Sequence, residues 1–591
     1  MNILFVNHRK TQCGVYEFGR NIGSALKKSK CSFLYYECAS NDDLQIVVSR
    51  ENPRLIIYNY HPSTLSWLNS DITRKIKCPQ MGIIHEVTQE VADRAGNDLF
   101  NFHLAHDPTL LLKNPIVFKA GRLIPPYENK FPASSIPVIG SFGFGTGGKG
   151  FDKIIESVQK EYDEAVIRFN IPFAAFGDPD GRNAALIAEN CRKLLVKPGV
   201  KLEVSHEFLE QRQLLDFIAQ NTVNLFLYEQ QEMARGISST IDLALAVKRP
   251  IAVSFNTMFR HLFDAKPSIC VENNSLKNII ENGTVPLDKY YKEWSEEMLC
   301  WDYERIADAV FAYDKIPPIK SDSRLRKVLG RGKRLINRKL GRVKNEESVS
   351  WISDTSIKKP VLVSPRKVDY QPSVIPDNRS LNNILDNNAR ELYKSTIKQM
   401  FDFLPDLMRR KIPEANVQQA FVLDTVYKIA SAIRKPKILC VGSFEDSASE
   451  SLKLLGFNIE EVDPMINYDL ETFVSKPTTV KNSYDIIFST SVIEHVEQDE
   501  KFLMQLAALL KKGGKIVLTC DYCDTYKEGD PKPAVDFRFY TQKDIKERLL
   551  PKLADCRLVD KPDWNCPNSD FNYGGFNYAF GTIVLEKYLD S

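Results

Sequence analysis

No apolar run in this 591-residue chain approaches the ~18 residues that a membrane-spanning helix needs; stretches such as Leu243 to Val247 end after a few positions. A surplus of one charge is missing too. The 79 Lys and Arg nearly cancel 76 Asp and Glu to leave +3, which excludes a chain coated in one sign of charge or disordered throughout. Nor is there a disulfide framework. The 12 cysteines spread from Cys13 to Cys566, mostly inside apolar segments as at Cys440 and Cys520, and suit reduced core thiols. Only Cys520-x-x-Cys523 has ligand spacing, and Cys556 and Cys566 follow it too irregularly for zinc, so no metal is expected. The opening MNILFVNHRK lacks a basic n-region and reads as a buried strand instead of a signal peptide, which implies a cytoplasmic protein.

What is present is an alternation of short apolar runs and helical patterns, the mark of parallel α/β layers. Ile3 to Val6, Leu55 to Tyr58 and Met81 to Ile84 read as strands of a first half, 1–130. Pro137 to Ser141, Ala174 to Phe176 and Val223 to Leu227 read as strands of a second half, 131–315. Between 316 and 379 the pattern fails among prolines at 317, 318, 360, 365, 372 and 376, which reads as a linker. From 380 to 591 helices lead into KILCVG, NIEEVD, YDIIFST and GKIVLTCDY, four strands of a further α/β domain. A final TIVLEKYL is strand-like and is placed to close that sheet as a hairpin.

The segment YDIIFSTSVIEHVEQDEKFLMQLAALLKKGGKIVLTCDY resembles the class I methyltransferases that use S-adenosyl-L-methionine (SAM). The resemblance runs from about Lys437 to Leu589 and implies a Rossmann-like fold with SAM as cofactor. Open α/β sheets bind ligands outside the carboxyl ends of their strands, and Asp463, just after NIEEV, is placed to accept ribose hydroxyls. The first turn, VGSFEDSAS, keeps only Gly442; Phe444 and Asp446 stand where the family has glycines, and Cys440 where it has an acid. Glu445 or Asp446 either attracts the cationic end of SAM or caps the following helix. Gly442, Glu445, Asp463 and Ser491 are the candidate cofactor contacts. His495, at a strand's carboxyl end and the one histidine of this domain, is the candidate general base, or by resemblance a pocket-lining residue. Asp521 is the next catalytic candidate, with Arg538 and Tyr540 as acceptor contacts.

In the second half a strand runs into GFGTGGKG and then a helix, a loop whose amides and Lys149 suit a phosphate. With NILFVNHRKTQCGVYEFGR, which turns at Gly14, and LFLYEQQEMARGISSTIDLALAVKRP, the tandem resembles retaining glycosyltransferases of the GT-B fold that build bacterial surface polysaccharides. That resemblance implies two Rossmann-like halves, a nucleotide-sugar donor, and donor contacts at Gly14, Lys149, Glu229, Glu232, Arg235 and Ser238. His85 occupies the position that touches the transferred sugar. The chain departs from the family at its second glutamate, where Leu243 stands with Asp242 beside it.

The composite expectation is a bifunctional glycosyltransferase and methyltransferase acting on a glycan or lipid-linked glycan; the alternative is a methyltransferase with a non-catalytic, glycan-binding GT-B module. Near-neutral total charge argues against nucleic acid as a partner. Residues 324–344 hold ten Arg and Lys and no acid, interleaved with apolar residues, which suits either peripheral contact with an anionic membrane or a solvated linker.

Overall fold

The computed structural model describes residues 2–10, 13–132, 134–173, 178, 180–229, 236–320, 368–533, 535–566, 569–573 and 575–588. The chain divides into two compact units, Met1–Ile357 and Lys358–Ser591. Both are α/β with parallel strands, in agreement with the expected fold class.

The N-terminal unit holds two sheets. The first comprises β1 (Asn2–Asn7), β2 (Ser32–Glu37), β3 (Leu55–Tyr58), β4 (Gln80–Ile84), β5 (Phe102–Ala105) and β6 (Val117–Lys119). They lie in the order β2-β1-β3-β4-β5-β6, every pair parallel. Ile3 to Val6 are fully buried because a parallel strand is covered on both faces. The second sheet, also parallel, comprises β7 (Val138–Phe142), β8 (Ala165–Asn170), β9 (Val200–Ser205), β10 (Val223–Phe226) and β11 (Ile251–Val253) in the order β11-β10-β7-β8-β9.

Strand β8 was not among the expected strands. The expected strand at Ala174 to Phe176 lies outside the described residues, and the strand beside β7 is AVIRFN. Arg168 interrupts its apolar run, but the guanidinium stacks on Phe217 at 4.5 Å and stays at the edge of the core. The helix Glu296–Phe311, read as the end of the second half, packs on the first sheet through Leu299, Tyr303, Ile306 and Val310. Arg122 pairs with Asp242, and Arg260 with Asp107, joining the two halves of the unit.

The C-terminal sheet comprises β12 (Ile438–Val441), β13 (Ile459–Val462), β14 (Tyr484–Thr490), β15 (Leu510–Tyr522), β16 (Cys556–Leu558), β17 (Phe571–Tyr573) and β18 (Phe576–Lys587). The order is β13-β12-β14-β15-β18-β16, with β17 paired to β18. Strands β12 to β15 run parallel, while β18 is antiparallel to β15, β16 and β17. Chain order reverses at β12, so a crevice opens at the carboxyl ends of β12 and β14. All seven residues of β14 are buried. Part of the segment read as linker is packed on this unit: Tyr370 is buried and its hydroxyl donates to Asp424 at 2.8 Å. Residues 382–385 bind β18, where Val584 N–H donates to Asn382 Oδ1 (2.7 Å) and Leu385 N–H to the Phe580 carbonyl (2.8 Å). Among the described residues no helix is long and apolar enough to cross a membrane.

Candidate functional site

In the C-terminal unit the crevice is a cavity of about 890 Å3. Strand β12 ends at Val441 and the chain turns at Gly442 with φ 80°, where a Cβ would lie 2.3 Å from Val492. Gly442 N–H continues the ladder to the Val462 carbonyl at 2.8 Å. Asp463 pins the two turns together, its carboxylate accepting Phe444 N–H (3.1 Å) and Met465 N–H (2.7 Å). Each carboxylate oxygen keeps a second lone pair, so Asp463 can still accept a ligand hydroxyl across the cavity it lines.

Of the two acids in the turn, Asp446 lines the cavity and Glu445 pairs with Arg410. Asp446 also caps the helix Ser447–Leu454 through Ser449 N–H at 2.6 Å, and Gln419 Nε2 donates to it at 3.1 Å. Burial pushes its carboxyl above the usual range despite those donors. Ser491 holds φ 55°, outside the usual region for a side chain, because its N–H is fixed by Thr519 Oγ1 at 3.1 Å. Its hydroxyl donates to Glu494 Oε1 at 2.6 Å.

His495 lines the cavity, and its Nδ1 meets Asp536 Oδ1 at 2.9 Å and the Val535 carbonyl at 3.2 Å. Two acceptors at Nδ1 place the proton there and leave Nε2 as the accepting nitrogen. The Asp536 hydrogen bond holds the imidazole above its ordinary value against the opposing effect of burial, and the charges of Glu494 and Asp536 add to it. Asp521 does not line the cavity. It is buried with its carboxyl pushed well up, first by burial and then by Glu494 and Asp536. The paired Glu494 carboxyl is raised by burial as well. Tyr540 is fully buried, its hydroxyl donating to the Ile493 carbonyl (3.1 Å) and Asp499 (2.8 Å), and Arg538 lies 3.5 Å from the same Asp499. These two buttress the loop after β14; the structure does not bring them to the cavity. Asp536 had no signal in the sequence, since PAVDF differs in nothing from an ordinary proline-flanked turn.

In the N-terminal unit the glycine-rich loop joins β7 to the helix Phe151–Glu161. Gly150 has φ 68°, and a Cβ there would fall 1.8 Å from the Leu227 carbonyl oxygen. A smaller cavity of about 370 Å3 is lined by Gly147, Gly148, Lys149, Tyr228, Glu229 and Met258 among others. Lys149 Nζ sits 4.1 Å over the Tyr228 ring and donates to its hydroxyl at 2.9 Å. Burial alone would raise that phenol, but Lys149 and neighbouring hydroxyls hold it below its usual value. Glu229 N–H donates to the Gly148 carbonyl (2.9 Å), and Lys153 lies 3.5 Å from the Glu229 carboxylate. Ser238 meets Thr240 Oγ1 at 2.9 Å. Gly14 is exposed at the start of the helix Gly14–Ala25 with open space around its Cα. His85 Nε2 donates to Asn59 Oδ1 at 2.7 Å, and burial pushes its pKa down to about 3, so the ring is neutral. The Gly236 segment passes its backbone closely: a Cβ on Gly236 would lie 2.5 Å from the His85 carbonyl oxygen. Glu232 and Arg235 lie outside the described residues. Asp242 is held by Arg122 and takes no part in either cavity.

The Methyltransferase domain family matches residues 448–518, so the C-terminal unit carries a methyltransferase domain. A search of curated proteins by sequence finds no match. Among solved structures, the N-terminal portion is similar to a glycosyltransferase from Rickettsia africae ESF-5, at 10% identity over 53% of this chain and 99% of that one, with a TM-score of 0.39. It is also similar to Anabaena HepE in complex with UDP and glucose, at 12% identity over 53% of this chain and all of that one (100%), with a TM-score of 0.38.

Proposed function

We propose that the chain is a two-headed transferase that adds a sugar to a bacterial surface glycan and methylates a glycan hydroxyl. The observation that carries the methyl-transfer half is the His495–Asp536 pair opening on the crevice that Gly442 and Asp463 border. The residues fit SAM: Asp463 offers lone pairs to a ribose, and buried Asp446 offers a carboxylate to a cation. When bound, SAM supplies an electrophilic methyl group. His495 Nε2 takes the proton from the acceptor hydroxyl as that oxygen becomes the nucleophile, and Asp536 steadies the imidazolium that results. The shaped wall of the cavity holds the two reactants in line and limits water.

For the N-terminal unit the support is its own loop: glycines that allow close backbone approach, a helix start and the Lys149 ammonium converge on one small cavity, as a nucleotide-sugar diphosphate requires. Incubation of the full chain with labelled SAM, a UDP-sugar and short glycans should place label in the glycan, and label confined to protein or water rejects the reading. Lys149→Ala should weaken nucleotide-sugar binding about tenfold or more and leave methylation intact. Equal titration of both variants removes Lys149 from the donor site.

One observation favours the alternative in which the N-terminal unit only binds glycan. Leu243 stands where the resemblance expects a glutamate, and neighbouring Asp242 is consumed by Arg122. Nucleotide binding without sugar transfer is the result that reading expects. Residues 324–344, outside the described residues, are proposed to hold the enzyme at an anionic surface where a lipid-linked acceptor resides. Flotation with acidic vesicles tests this; binding indifferent to salt, or surviving deletion of 324–344, rejects it.

A further inference from the structure

The far wall of the 890 Å3 cavity is made by the start of the helix Asn416–Ser431 and the turn before it, which contribute Arg410, Lys411, Asn416, Gln418 and Gln419. Two of these side chains are anomalous. Asn416 is 2% exposed and Gln418 3% exposed, yet Asn416 Nδ2 and Gln418 Oε1 find no hydrogen-bond partner among the described residues. A buried amide group left unpaired costs about 1 to 3 kcal/mol, so such groups persist where something satisfies them. The helix also begins without a side-chain cap, its N-cap being Ala415. Three features thus converge on one wall: an uncapped helix start, an orphan donor and an orphan acceptor.

The turn after β12 explains why that wall matters. Phe444 N–H is already given to Asp463, and Glu445 is tied to Arg410. Of the turn's two acids, the one that lines the cavity is Asp446, whose carboxylate Gln419 orients and whose charge Lys411 feels. We propose that the wall formed by Lys411 and the helix start at Asn416–Gln418 recognises the zwitterionic amino-acid end of the cofactor, with Asn416 Nδ2 and Lys411 taking the carboxylate and Gln418 Oε1 with Asp446 taking the ammonium. An anion is favoured at a helix start by its dipole, and an ammonium needs the acceptors that Gln418 and Asp446 supply. The proposal rests on the SAM reading of this crevice and replaces recognition by a glycine-rich backbone with recognition by side chains from upstream.

The test compares two probes by calorimetry on the full chain: S-adenosylhomocysteine, which has the amino-acid end, and 5′-methylthioadenosine, which lacks it. Asn416→Leu and Gln418→Leu should each weaken S-adenosylhomocysteine about tenfold to a hundredfold and leave 5′-methylthioadenosine unchanged. Asn416→Asp, nearly the same shape, should be worse than Asn416→Leu because it sets a carboxylate against a carboxylate. Unchanged affinity for S-adenosylhomocysteine means that water satisfies the orphan amides, and overturns the proposal. Equal losses on both probes assign the residues a structural role, and overturn it too. If the unaltered chain binds neither probe, the cofactor reading itself falls and this inference with it.

Discussion

Replacing His495 with alanine is expected to slow methyl transfer at least about a hundredfold while affinity for S-adenosylhomocysteine stays close to that of the unaltered chain. The imidazole reaches the cavity from a short turn after β14, and what gives it basicity is a buried carboxylate held 2.9 Å behind it. Because the pKa of His495 is raised, above all by the Asp536 hydrogen bond, and because a base works only when neutral, the rate should climb with pH through an apparent pKa above ~6.5. Asp536→Asn removes that hydrogen-bonded charge. The profile should then move toward acid and level off lower, since the ring loses the partner that fixes its tautomer. Glu494 also acts on the ring, its charge adding to the upward shift of His495 while burial raises its own carboxyl. The stability sign follows the same shift: a raised histidine favours the folded state fully below its unfolded value of ~6.5 and loses that contribution as pH rises through the raised value. Asp536→Asn should therefore cost more stability near pH 5 than near pH 9. A rate that falls without any displacement of the pH profile would demote Asp536 to packing.

Arg122→Ala should destabilise the N-terminal unit by about 3 to 5 kcal/mol in urea unfolding of the full chain. Arg122 and Asp242 have side chains only 4% and 8% exposed, and the guanidinium grips both carboxylate oxygens while donating to the His106 carbonyl at 3.1 Å. Removing the arginine leaves a carboxylate buried without compensation. Burial already raises Asp242 against the opposing pull of Arg122, so without Arg122 the folded pKa must rise further. A carboxyl whose folded pKa exceeds its unfolded one gains folded-state stability as pH falls through the folded value. The deficit should therefore shrink on acidification. Arg122→Met combined with Asp242→Leu should recover much of the loss, because a hydrophobic pair carries no desolvation penalty. A loss below about 1 kcal/mol at neutral pH would mean that water reaches the pair.

The strands that surround the cofactor crevice were legible because their residues are almost uniformly apolar: Ile438 to Val441 and Tyr484 to Phe488 are runs that only a doubly covered strand accommodates. The glycine-rich loop was legible for a similar local reason, since Gly148 and Gly150 take positive φ. Strand β8 escaped because one arginine breaks its pattern, and the groups that make that arginine acceptable, the Phe217 ring 49 positions away with Asn221 and Glu203, lie in other elements. Asp536, Asn416 and Gln418 escaped for a deeper reason. A carboxylate behind a histidine, or an amide facing a cavity, is defined by what stands opposite it, and no periodicity encodes that. Arg538 and Tyr540 show the converse: polar residues after a strand suggest ligand contacts, but the acid they serve, Asp499, lies in another element.

Strand β18 imposes an order of events on the C-terminal unit. It is the middle partner of β15, β16 and β17, and it also receives residues 382–385 across separations of up to 202 positions. The pairs β12–β13 and β12–β14 join segments close in sequence and can zip early, whereas every contact of β18 with residues 382–385 must close a loop spanning nearly the whole unit. Until it docks, the 13-residue β15 presents an open edge whose apolar part is the Ile516–Leu518 run, so the interval between crevice assembly and β18 arrival is when this unit is most exposed to aggregation.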